Sequence, residues 1–247
     1  MVPNDPIYRL YAELKDYEPK IWRRFEISNA VSMARLGYVL MVLFEMKGYH
    51  LFGFDVPVKE NFIRCVGDEI DNPYNRQALK TFNKHPEKAQ LRVEFIMEDD
   101  DFEPQGWTEH AAQIKLKNVL DHEGERMIFE YDYGDGWQAE ITVERIYKEK
   151  ELPAKELPRV LDGEGFGILE DCGGPLALSD IAVLLKTKKG KEYEEFLEWY
   201  GSAPDLAAFH IDEMNNRLKK LPRAFRDSYE LGKELSDSTV DFLERRY

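Results

Sequence analysis

Residues 128–143, IFEYDYGDGWQAEITV, decide how the rest of the chain is read. Two runs of alternation flank a Gly-Asp-Gly. In the first, Met127, Phe129, Tyr131 and Tyr133 share one face, and Ile128, Glu130 and Asp132 the other. In the second, Trp137, Ala139, Ile141 and Val143 alternate with Gln138, Glu140, Thr142 and Glu144. A period of two over this length predicts strands with one buried face. Gly134-Asp135-Gly136 tolerates positive φ and predicts a tight hairpin between them. That hairpin carries Asp132, Asp135 and Trp137 to one end, where side chains can face a cleft or a partner.

Upstream, residues 7–15 alternate and residues 21–27 can return antiparallel after the break at Asp16-Tyr17-Glu18-Pro19. From Ser32 to Met46 the period changes: Met33, Leu36, Leu40, Leu43 and Phe44 fall on one helical face. The rest of that helix is mostly apolar too, so it is expected to be covered on more than one side. Ser32 is the expected N-cap and Gly48 the expected stop. Residues 50–56, 62–66 and 91–97 read as strands, and 67–87 as turns with one helical turn near Ala78. Glu98-Asp99-Asp100-Asp101 reads as an acidic loop. Residues 151–175 hold three prolines and five glycines and read as a long irregular segment, either functional or a linker. Helices are expected at 179–186, 191–200 and 211–221, with two more to the C-terminus.

Composition narrows the function classes. The chain has 247 residues, of which 13% are aromatic, enough for a substantial core. The net charge is -14, from 48 acidic and 34 basic residues. Phosphate backbones repel such a surface, so direct nucleic-acid binding over a broad face is disfavoured. Cys65 and Cys172 cannot make a disulfide framework. The chain opens MVPNDPIYRL without a signal-peptide pattern, and its longest apolar run is far short of the ~20 residues that cross a bilayer. A cytoplasmic protein without membrane association is the expectation.

Four motifs occur in a familiar order: Ile21-Trp22-Arg23-Arg24, Gly48-Tyr49-His50-Leu51, residues 131–137 (YDYGDGW) and residues 170–175 (EDCGGP). Together they resemble the plasmid pRiA4b ORF-3-like family over roughly residues 7–220. Some of its members are described as insertion-element passengers, and the resemblance implies a fold more than a function. It implies an accessory role in mobile-element or DNA transactions only through that context. The chain departs from the family in having Gly37 where a histidine is frequent, and Gly167-Ile168-Leu169 where Cys-Pro-Pro is frequent.

The candidate chemistry rests on His50, Asp132, Asp135, Glu170 and Asp171. Read functionally, these form an acidic cleft able to divide acid and base roles, with His50 as general base. Read structurally, Asp135 and Asp132 shape a turn, Glu170 and Asp171 hold a glycine-rich loop, and His50 sits on a strand face with Phe52 and Phe54. No cysteine pair or second histidine lies near His50 in sequence, so zinc is not expected, and no metal or cofactor is assigned. Trp22, Arg23, Arg24 and Trp137 are the candidate ligand contacts, although pairing of the arginines with the acids, and a core place for Trp137, are the simpler uses. Residues 163–167 (GEGFG) lack the Gly-Lys-Ser/Thr ending of a phosphate loop. The basic stretch Arg217, Lys219, Lys220, Arg223 and Arg226 reads as a solvated helix face.

The resulting expectation is an α+β protein in which a mostly antiparallel sheet packs on one long N-terminal helix, in a manner reminiscent of β-grasp folds. A sheet domain over residues 1–150 is followed by a loop over 151–178 of the same globule and a helical part over 179–247. The leading functional reading is a non-catalytic module that binds a protein or peptide partner. A metal-assisted or acid–base hydrolase using the clustered carboxylates is the alternative.

Overall fold

The computed structural model describes residues 5–96, 106–224 and 226. The acidic loop 98–101, Met97 and the expected helices beyond residue 226 lie outside the described residues. Among the described residues there are eight strands: β1 (Ile7–Leu14), β2 (Trp22–Ser28), β3 (Phe52–Val56), β4 (Leu91–Glu94), β5 (Thr108–His110), β6 (Arg126–Tyr131), β7 (Trp137–Tyr147) and β8 (Arg159–Glu164). Among the same residues six α-helices are interspersed with them: α1 (Met33–Leu43), α2 (Val58–Val66), α3 (Pro73–Lys84), α4 (Gly174–Thr187), α5 (Lys191–Tyr200) and α6 (Ile211–Ala224).

The strands form a single sheet in the order β5-β4-β3-β6-β7-β1-β2-β8. Its pairs are antiparallel except β4 with β5, so the sheet is mixed. The alternation that opened the reading holds: Met127, Phe129, Tyr131, Trp137, Ala139, Ile141 and Val143 are all buried. Tyr133 departs from it. The strand ends at Tyr131, Asp132 turns the chain at φ 54, and Tyr133 emerges half-exposed. The loop between Tyr131 and Trp137 is therefore five residues long, closed by the Gly136 amide donating to the Asp132 carbonyl at 2.7 Å.

The expectation of one long N-terminal helix is corrected. Among the described residues helices are scattered along the chain, and α1 has 11 residues. Every α1 residue but Arg35 is buried. The Tyr38 ring of the helix meets Phe52 of β3 edge-on, and the helix is touched by α6, which also packs on β8. Ser32 caps it by accepting a hydrogen bond from the Arg35 amide at 3.2 Å, while the helix stops at Phe44, four residues before Gly48. Gly37 is where the aromatic core meets α1. A Cβ there would lie 2.2 Å from the Phe52 ring, so the space a histidine would need is taken by Phe52.

Three other segments differ from expectation. Residues 62–66 belong to α2, not to a strand, because Val58, Phe62 and Val66 repeat at helical spacing. Residues 73–84 form a full helix, which Asn72 caps by accepting from the Tyr74 amide at 3.0 Å, with Pro73 at its first position. The glycine-rich segment contains β8, an edge strand paired with β2. Among the described residues no helix is long and apolar enough to cross a membrane.

Candidate functional site

Sheet register brings the first two residues of the cluster together. β3 and β6 pair antiparallel with Phe52 opposite Tyr131, and one step further the Asp132 amide donates to the Leu51 carbonyl at 3.1 Å. His50, just before β3, therefore stands beside Asp132, just after β6. A third loop, between β8 and α4, comes alongside. The Ile168 amide donates to the Phe44 carbonyl at 2.9 Å, and the Lys47 amide donates to Glu170 Oε2 at 2.8 Å. The approach of backbones is close enough to require Gly167: a Cβ at that position would lie 2.4 Å from the Phe44 carbonyl oxygen.

His50 Nε2 then lies 3.5 Å from Asp132 Oδ2, 3.5 Å from Glu170 Oε1 and 3.3 Å from Asp171 Oδ1. Donor atoms of His50, Asp132 and Asp171 all fall within 4.8 Å of one another. Two of the carboxylates are fixed by other bonds. Asp132 Oδ1 accepts from the amides of Gly134 and Asp135, at 3.0 and 3.3 Å, leaving Oδ2 turned to the imidazole. Glu170 is held by the Lys47 amide and, through Oε1, by the Tyr131 hydroxyl at 2.6 Å. One Asp132 oxygen thus shapes the turn while the other faces His50.

Electrostatics sort the acids by depth. Glu170 is buried, and burial pushes its carboxyl above its ordinary range although bonds from Tyr131 and the Lys47 amide pull the other way. Tyr131 is fully buried; burial and the Glu170 charge push its hydroxyl up, so it remains a donor. Asp171 is exposed over 66% of its side chain and forms the open lip. Asp132 and Asp171 both hold positive φ, 54° and 58°, a conformation that is strained for residues with a Cβ. Such strain persists where surrounding contacts over-determine it and clusters at functional sites.

Asp135 joins the arrangement from outside. Its Oδ2 accepts from the Gly173 amide at 3.0 Å, tying the hairpin turn to the loop that carries Glu170 and Asp171. Gly174 opens α4 at φ 85, and a Cβ there would lie 2.4 Å from the Asp135 carbonyl oxygen. Cys172 is half-buried, and burial pushes its thiol up to about 11. Glu170 and Asp171 also line a cleft of about 930 Å³ whose far wall includes Trp199, Tyr200, Phe209 and His210.

The candidate ligand contacts are placed elsewhere. Arg23 is fully buried and donates to five carbonyls, those of Leu43, Trp22, Glu164, Gly165 and Phe166, at 2.7–2.8 Å. It ties the end of α1 to the exit of β8. Arg24 pairs with Glu144 at 2.7 Å, not with the cluster, and the Trp22 indole stacks on Tyr11. Trp137 is buried in the core. In the basic stretch, Arg217 is buried against Glu45 and Lys219 meets Glu156 at 3.2 Å; the side chain of Arg223 lies outside the described residues. The sequence reading missed Tyr131 as a member of the cluster. Its position on the core face hid it, yet a buried tyrosine hydroxyl needs a partner, and the end of the strand was where to look.

Comparison with known proteins assigns no activity. An uncharacterised protein of Sinorhizobium fredii is 25% identical over 220 residues, covering 87% of this chain and 92% of its own. A protein of unknown function from Methanosarcina mazei has a similar fold, with a TM-score of 0.63 at 20% identity over 85% of this chain and 96% of that one. The model of the plasmid pRiA4b ORF-3-like protein family matches residues 6–217, and the chain belongs to that family.

Proposed function

We propose that His50, Asp132 and Asp171, with Glu170 behind them, form a divalent-cation site, and that the chain is a metal-assisted hydrolase working on a substrate held in the adjoining cleft. The observation that carries this reading is the surplus of acceptors. Three carboxylates aim oxygens at one imidazole nitrogen, and two of the three are oriented by bonds through other atoms. Oriented oxygen and nitrogen donors with one exposed side are the pattern of a site that admits a cation and water. The donors come from three loops remote in sequence, and the reading takes up the metal-assisted alternative.

A bound cation would polarise a substrate oxygen and lower the pKa of a coordinated water. The chain's own residues divide the remaining work. Asp132 and Asp171 supply negative charge at the mouth, and Tyr131 and the Lys47 amide keep Glu170 from rotating away. Trp199 and Phe209 offer apolar surface for the part of the substrate that does not react. The test is turnover of chromogenic ester, phosphoester and peptide substrates with Mn²⁺ or Zn²⁺, for the natural chain and for His50→Ala and Asp171→Asn. Turnover that needs metal and falls at least about a hundredfold in both variants is expected. Equal rates in all three proteins would overturn the reading.

A second reading keeps the cleft and drops the chemistry: a module that binds a peptide. It is favoured by half-exposed Trp199 beside Tyr200 and Phe209 in one wall. Peptide binding that is unchanged by chelators and by His50→Ala, without turnover, would select it. The net charge of -14 gives no support to direct contact with DNA.

A further inference from the structure

A second cluster lies away from the cleft, where α2 meets the loop entering β6. Donor atoms of Cys65, His122 and Glu125 all fall within 4.8 Å of one another. We infer that these three residues form a separate site for a thiophilic divalent cation such as Zn²⁺. The donor set differs from the cleft's. One thiol, one imidazole and one carboxylate match the sulfur and nitrogen preference of zinc, whereas the cleft offers one nitrogen among oxygens.

The scaffold around the cluster is built. Asn61 is buried one turn before Cys65 on the same face of α2. Its side-chain amide donates to the Arg126 carbonyl at 2.7 Å, and its oxygen accepts from the Arg126 amide at 2.9 Å. That pair of hydrogen bonds fixes α2 against the first residue of β6. Glu125 Oε2 accepts from the amides of Asp121 and His122, at 2.6 and 3.0 Å, and so closes the loop that presents the imidazole. One Glu125 oxygen shapes the loop; the carboxylate's other oxygen can face a cation. A further observation points to a ligand. Asp121 meets His122 Nδ1; a carboxylate on that nitrogen favours the tautomer whose Nε2 lone pair is open to a cation. A carboxylate behind a ligand histidine is the usual support of zinc sites.

Cys65 and His122 are exposed, so the site has an open side for water or a fourth ligand. On binding, the cation would replace the thiol proton, which leaves to solvent, and the sulfur would coordinate as thiolate.

Titration of the full chain with Co²⁺ tests the inference, because a thiolate ligand gives a charge-transfer band that oxygen and nitrogen ligands do not. The band should appear and saturate in the natural chain and in Cys172→Ser, and should be lost in Cys65→Ser. Asp121→Asn should weaken binding by about tenfold. His50→Ala should leave the band intact, which keeps this result independent of the cleft. No band in the natural chain, or an undiminished band in Cys65→Ser that circular dichroism shows to be folded, would overturn the inference.

Discussion

Two regions of the molecule gather charge, and they do so in opposite ways. On β2, Arg23 and Glu26 are fully buried and each is saturated. Arg23 has carbonyls around its whole guanidinium, and Glu26 accepts from Arg9, Arg159 and the Tyr147 hydroxyl. At the ends of β3 and β6, His50 stands among three carboxylates, partly exposed, with acceptors in excess of donors. The difference separates framework from site. A buried charge whose partners match it in number and geometry holds segments together and has nothing left for a ligand. Like charges held close by other bonds leave a deficit that a cation can fill.

That contrast can be broken first at Arg23. Arg23→Ala should leave several buried carbonyls without donors and cost more than about 3 kcal/mol, read as a fall in thermal midpoint by circular dichroism. Arg23→Lys should recover little, because a lysine cannot reproduce the fork that meets carbonyls on several segments. Next comes Glu26. Burial alone would raise its carboxyl, but the bonds from Tyr147, Arg159 and Arg9 outweigh burial and hold it below the ordinary 4.5. A depressed folded-state value means stability that is present above about 4.5 and is lost as pH falls through the lower folded value. Glu26→Gln should therefore cost about 2–3 kcal/mol at neutral pH, and the gap from the natural chain should narrow in denaturant titrations below that range. A constant gap would remove Glu26 from the framework group.

Gly174→Ala probes the join between the two kinds of region. It forces a Cβ into a left-handed residue against the Asp135 carbonyl, and about 1–3 kcal/mol of destabilisation is expected. Because the same loop carries Glu170 and Asp171, cation affinity should fall with it. The smallest effect on stability belongs to His50. In the absence of metal, His50→Ala should change stability by no more than about 1 kcal/mol. With Mn²⁺ at about a hundred times its Kd, the natural chain should gain about 2.7 kcal/mol, a rise of several degrees in Tm, and His50→Ala should gain nothing. A large loss on His50→Ala without metal would place the cluster with the framework.

The sequence made the central hairpin legible because Trp137, Ala139, Ile141 and Val143 alternate without interruption. It made α1 legible because Ser32 and the run after it carry both a cap and a period. It hid α2, whose Phe62-Ile63 pair resembles a strand, and β8, whose glycines suggested a loop although Val160 points into the core. The candidate cluster was named residue by residue, but its convergence was not readable. His50, Asp132 and Glu170 meet through strand register and through the near contact of Gly167 with Phe44, which no local pattern records. Nor could spacing reveal that Arg23 is enclosed by carbonyls. An exposed ligand arginine and a buried framework arginine look alike in sequence.

The most direct measurement is anomalous diffraction from a crystal soaked in Mn²⁺. The account predicts a peak bounded by His50 Nε2, Asp132 Oδ2 and Asp171 Oδ1, with Glu170 adjacent, and no such peak in His50→Ala. A natural-chain crystal with no peak there, while the ion binds elsewhere or not at all, would contradict it.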